Sequence, residues 1–145
     1  MNQDLVTTSK GVVFRVKKSP PVVFRAVVQQ WAERAPKAPV ILSMEKDREE
    51  ENPADPAYLE AKARHEEGCN MALMDAAILL CTAVENVPDD VNRPEDTDWL
   101  EDLEIMGIAP GPGKRERYLA WVKYYAAPDE SDMVILSEAI SRVNN

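Results

Sequence analysis

One histidine, two cysteines and five glycines are all that 145 residues hold of these types, and each scarcity closes off some chemistry. A lone His65 cannot build a zinc site from several imidazoles, and neither Cys69 nor Cys81 has a histidine and an orienting acid recognisably assigned to it, so nucleophilic catalysis finds no support. The segment His65-Glu66-Glu67-Gly68-Cys69 falls one residue short of H-E-x-x-H, with Cys69 where the second histidine would stand. A catalytic zinc would need a third protein ligand, and Gly68 weakens a helix at that point, so no metal is expected. Twelve residues apart on one helix, the cysteines lie about 18 Å from each other by helical rise, too far to bridge. They read as small buried apolar groups in a reducing compartment. An apolar run of about 18 residues is missing, and so is the basic, apolar and small-residue succession of a secretory signal. The expectation is a protein that neither spans a membrane nor is exported, made and kept in the cytoplasm.

Two further patterns lack what their chemistry requires. Gly111-Pro112-Gly113-Lys114-Arg115 would need glycine at Ile108 and Ser or Thr at Arg115 to be a phosphate loop, and reads instead as a connector between helices. Asp98, Glu101 and Asp102 have no histidine, nucleophile or anion cradle beside them, so a solvated helix face explains them better than an acid/base pair. No cofactor is implied, and the expectation is a non-enzymatic protein.

Charge is abundant and unevenly spread. The formal net charge is −9, yet Met1 to Arg48 holds nine Lys and Arg against four acids, net +5, whereas Glu49 onward holds eight against twenty-two, net −14. Phe14, Arg15, Lys17, Lys18 and Arg25 interleave aromatics and cations in the basic part. The overall acidity disfavours nucleic acid as a partner, so acids on a partner chain or on a second copy are the better match.

At this length the chain is expected to form a single domain, residues 1–145, with a flexible N-terminus over 1–10, a basic β-α-β segment over 11–48 and an acidic helical body over 49–145. The organising element is a helix over Pro56 to Glu85, roughly 45 Å long. Asp55 caps it and Pro56 takes its first position, and Leu73, Ile78, Leu79, Leu80 and Val84 are its core residues. Gly11 to Lys17 reads as a strand with Val12, Phe14 and Val16 on one face, and Val22 to Arg34 as an amphipathic helix striped by Val23, Val27 and Trp31. Val40 to Met44 is a second strand, expected to pair with Val12 to Val16, and Lys46 to Glu51 a solvated charge run. Helices follow over Glu95 to Met106, Lys114 to Ala126 and after Pro128-Asp129. The fold expected is mainly α within an α+β class: about five helices around one long central helix, with a small two-stranded β element near the N-terminus. Trp31, Trp99 and Trp121 sit at helical spacing as core anchors, with a partner groove as their other reading. Together with Phe14, Phe24 and Tyr124 they are the candidate partner-binding residues.

Several landmarks follow one another along the chain: Arg48-Glu49-Glu50-Glu51-Asn52-Pro53-Ala54-Asp55-Pro56-Ala57-Tyr58-Leu59, then Trp99-Leu100, Leu103-Glu104 and Gly107-Ile108. After them come Lys114-Arg115, Tyr118-Leu119, Trp121-Val122-Lys123-Tyr124 and a closing helix after Pro128-Asp129-Glu130. In this order, over about Gly11 to Val143, the chain resembles the small tail assembly chaperones of long-tailed, siphovirus-type bacteriophages. The resemblance implies a non-enzymatic protein of the host cell cytoplasm that holds the tape-measure protein soluble, helps tail tube protein assemble around it, and leaves before the tail is complete. It offers no catalytic residue to carry over, and a homo-oligomer is compatible with it; the missing apolar run and the net acidity lead to the further expectation of no membrane and no nucleic acid as partners. Two other readings stand beside it: a structural virion component such as a connector or tail protein, and an acidic nucleic-acid mimic that inhibits a host enzyme.

Overall fold

The computed structural model describes residues 4–45 and 48–144, so Lys46 and Asp47 of the expected charge run, and the first three residues of the expected flexible terminus, lie outside the described residues. The chain divides into two compact units, one made of Met1–Ser19 with Asp75–Asn145 and the other of Pro20–Met74.

The first unit holds a three-stranded antiparallel sheet in the order β1 (Leu5–Thr7), β2 (Val13–Val16), β5 (Thr82–Asn86). Alternation decides which face of β2 is covered: Val12, Phe14 and Val16 are buried, as their period-2 spacing predicts, while Arg15 points outward to Asp4 and Glu85. Residues expected to be loose, Leu5–Thr7, instead pair with β2 in the register Val6↔Phe14. Gly11, at φ +79, makes the turn between them, a conformation that favours glycine, and its amide bonds the Thr8 carbonyl at 2.9 Å.

Helices α3 (Asp98–Ile105), α4 (Lys114–Trp121) and α5 (Glu130–Asn144) belong to the same unit, and α4 runs on through a π-helical turn at Val122–Ala126. Trp99, Trp121, Phe14, Ile78, Leu103 and Leu136 are fully buried and form its core. The Phe14 and Trp121 rings meet edge to face, 6.0 Å apart, and Trp99 lies 5.6 Å from Tyr125. Both buried indoles donate to the loop before α3, Trp121 to the Asn92 carbonyl at 2.7 Å and Trp99 to the Arg93 carbonyl at 3.0 Å.

The second unit holds α1 (Pro21–Ala32), a hairpin of β3 (Val40–Ser43) and β4 (Arg48–Glu51), and the first part of α2 (Pro56–Cys81). The start of α2 is the one expected: Pro56 is its first residue and Asp55 Oδ2 accepts from the Tyr58 amide at 3.0 Å. Its end is earlier. Thr82 and Val84 are β-branched and leave the helix to pair with Val16 and Phe14 as β5, and Thr82 Oγ1 bonds back to the Ile78 carbonyl at 2.5 Å.

These observations correct the expected architecture. The fold is mixed α+β with two small sheets, and no long helix stands at its centre. Only Ala77, Ile78 and Cys81 of α2 are buried, so Leu73, Leu79, Leu80 and Val84 are lesser core residues than their hydrophobicity suggests. The strand Val40–Ser43 pairs with Arg48–Glu51, part of the supposed loop, and not with β2. A hairpin costs only a short loop closure, whereas β2 already has β1 and β5 on its two edges.

Gly68 marks a close approach within the second unit. A Cβ placed there would come within 2.7 Å of the Trp31 ring, which also meets His65 edge to face at 5.5 Å and carries the Arg34 guanidinium 4.6 Å from its centre. Two effects compete in Gly68→Ala: about 1 kcal/mol gained in helix propensity and roughly 1–3 kcal/mol lost to overpacking. The substitution is therefore expected to weaken amide-exchange protection in the first half of α2. In a Trp31→Ala background, where the clash is gone, it should strengthen that protection. The same sign in both backgrounds would show that Trp31 does not pack on Gly68.

Candidate protein-docking surface

None of the described residues of Pro20–Met74 is buried. The sequence supplies an apolar stripe on α1, but Val23, Phe24, Val27 and Trp31 are only half-buried, and Val22 and Val28 are exposed. The hairpin is more open still, with Val40 57%, Ile41 50%, Leu42 61% and Met44 86% exposed. Leu59 and Met71 on α2 add to this surface, so among the described residues eight of the thirteen exposed large apolar side chains fall in this unit. Isolated exposed apolar groups are ordinary; this many in a unit with no buried side chain among its described residues make it a candidate docking surface.

The six candidate partner-binding residues separate in the structure. Phe14, Trp99 and Trp121 are fully buried in the core of the first unit and are not surface groups, because their rings fill space between sheet and helices that no smaller residue would fill. Phe24 and Trp31 are half-buried in the second unit, and Tyr124 is exposed in the middle of the π-helical turn. Missed in the sequence are Val40, Leu42 and Met44, assigned there to a strand paired with Val12 to Val16. The signal was present: Arg-Glu-Glu-Glu is the segment nearest in sequence able to pair with them, and a strand of three consecutive acids does not close a core.

No protein-family model, curated protein or solved structure matches the chain.

The first unit has clefts of its own. One of about 410 Å³ is walled by Leu100, Ile108, Pro110 and Pro112, with Glu104 and Arg117 at its polar positions, and Arg117 Nε is buried there without an acceptor. Beside it, Lys114, Arg117 and Tyr118 line a second cleft. Burial raises the Tyr118 phenol above its ordinary pKa, against the hydrogen bond it shares with Thr82 at 2.8 Å. Burial likewise raises the Cys81 thiol, against its contact with Asn144, which suits the inert apolar part read for it. On the exposed face of the sheet the Arg15 guanidinium, by hydrogen bonding and then by charge, holds the Glu85 carboxyl below the usual carboxylate range. His65 Nε2 lies 2.5 Å from the Trp31 carbonyl oxygen, which gives this lone imidazole a structural partner. Among the described residues no three His, Cys, Asp or Glu side chains converge as metal ligands, and no helix is long and apolar enough to cross a membrane.

Proposed function

We propose that this chain is a non-enzymatic tail assembly chaperone of a long-tailed bacteriophage, acting in the host cell cytoplasm by covering apolar segments of the tape-measure protein and presenting them to tail tube protein. The observation that carries the reading is the unit Pro20–Met74, which exposes valines, isoleucine, leucine and methionine and buries none of them. Ordering a residue costs about 1–2 kcal/mol, which burial normally offsets, so such a unit gains most of its order when another chain covers it. The acidity of the chain supports the same role, since twenty-two acids from Glu49 onward, some of them within this unit, keep a complex with an apolar partner in solution.

The reading is tested by co-expression with the tape-measure protein of the same genome. The tape-measure protein is expected in the soluble fraction together with this chain, and purified particles are expected to lack it. A tape-measure protein that still pellets overturns the chaperone reading, and recovery of this chain from particles favours a structural component.

A further inference from the structure

The hairpin in the unit Pro20–Met74 has two unlike edges. Among the described residues β3 and β4 pair only with each other, so each has an outer edge of backbone donors and acceptors without a strand beside it. On β4 that edge is guarded by Arg48, Glu49, Glu50 and Glu51, the charged composition with which proteins deter further pairing. On β3 it is not: Val40, Ile41 and Leu42 carry no charge, and the prolines at 36 and 39 precede the strand without entering it.

The register also sorts the side chains into two faces. Val40 stands opposite Glu51 and Leu42 opposite Glu49, which puts two aliphatic groups and two carboxylates on one face. Ile41 stands opposite Glu50 on the other face, where the Arg48 guanidinium bonds Glu50 at 3.2 Å. The second face has its cation, whereas the first presents exposed Val40 and Leu42 beside exposed Glu49 and Glu51 with no cation of this chain among the hairpin's described residues on that face.

We propose that β3 receives an extended segment of a partner protein as an added strand, and that this segment alternates apolar residues with Lys or Arg. Backbone hydrogen bonds along the edge of Val40–Ser43 supply affinity, and alternate side chains supply choice, as in other cases of strand addition. Neighbouring strands stand about 4.8 Å apart, so a cation on the added strand starts about 10 Å from the glutamate row. A Lys or Arg stem laid over Val40 or Leu42 covers that apolar surface and carries its head toward Glu49 or Glu51. An acidic segment meets the same carboxylates and is repelled. The inference rests on the protein-binding reading above and names the chemistry of the segment bound.

The test uses the full chain and fluorescein-labelled twelve-residue peptides followed by anisotropy. Alternating Val and Lys is expected to bind at least about tenfold more tightly than the same residues arranged as a Val block and a Lys block, and than alternating Val and Glu. Removing backbone donors by N-methylation at every Lys or at every Val, which strips one edge of the peptide or the other, should abolish binding in one pattern and spare it in the second. Leu42→Lys, which guards the edge, should weaken binding about tenfold or more, and Glu49→Lys with Glu51→Lys should transfer preference to the Val and Glu peptide. Equal binding of block and alternating peptides, or indifference to both methylation patterns, overturns strand addition and leaves general attraction of cations to an acidic protein. The methylated peptides need no variant, so a substitution that fails to fold does not remove the test. If Leu42→Lys still keeps the tape-measure protein soluble on co-expression, strand addition fails while the chaperone reading stands.

Discussion

Replacing Trp121 with alanine is expected to destabilise the unit built from Met1–Ser19 and Asp75–Asn145 by about 3–5 kcal/mol, the cost of a large cavity in a packed core. The ring has no exposed surface, meets Phe14 edge to face and donates to the Asn92 carbonyl at 2.7 Å. Its loss removes apolar burial, an aromatic contact and the bond that holds the loop before α3. Natural domains have roughly 5–15 kcal/mol in hand, so a large part of the total goes with one side chain. Urea denaturation followed by circular dichroism reads the shift in midpoint. Trp31→Ala, at a half-buried ring in the other unit, should move that midpoint far less. Should Trp121→Ala leave the midpoint in place and abolish capture of a partner chain, the placement of Trp121 in the core would be wrong.

Asp132→Ala is expected to cost about 2–3 kcal/mol in the same measurement, because its carboxylate is buried and its hydrogen bonds are charge-assisted. One oxygen accepts from the Ser9 amide at 2.8 Å, and the other accepts from the Ser9 hydroxyl at 2.7 Å and from the Asp129 amide at 3.3 Å. The first two bonds tie the turn after β1 to α5. The third returns to the chain just before that helix, as the acid of a capping box does. Asp132→Asn keeps the shape and one acceptor oxygen and should lose roughly half as much. Amide exchange separates the two jobs: in Asp132→Ala the amides of Leu5–Thr7 should lose protection before those of the middle of α5. Loss of protection in α5 alone would mean that the carboxylate serves only the helix.

Much of the local structure was legible in the sequence. Asp55 and Pro56 mark the start of α2 because a cap and a proline at the first helical position act within one turn, and the structure shows the bond that does it. Val12, Phe14 and Val16 share a covered face because strand alternation leaves no other arrangement. Glu130 and Asp132 lie in the first turn of the last helix, as their charge and the preceding proline indicate, although nothing local says that Asp132 also holds Ser9.

Sequence and structure part where a residue has two good local outcomes. Val84 continues the apolar pattern of α2 past the polar Thr82 as well as both residues begin a strand, and only the presence of β2 beside them makes the strand win. Val40, Ile41 and Leu42 look like a strand in either pairing, and hydrophobicity alone assigns such a strand to the core. Their partner turned out to be Arg48–Glu51, a run whose charge reads as loop until its backbone is paired. Phe14, Trp99 and Trp121 could have been anchors for a partner or for the core, and ring size does not distinguish those uses.

Caps, alternation and the division of charge were thus set by the chain itself, since each acts between residues a few positions apart. Which strands meet, where α2 stops, which tryptophans vanish from the surface and which valines and leucines remain on it were decided by tertiary structure, because each depends on groups distant in sequence competing for the same backbone edge or the same buried volume.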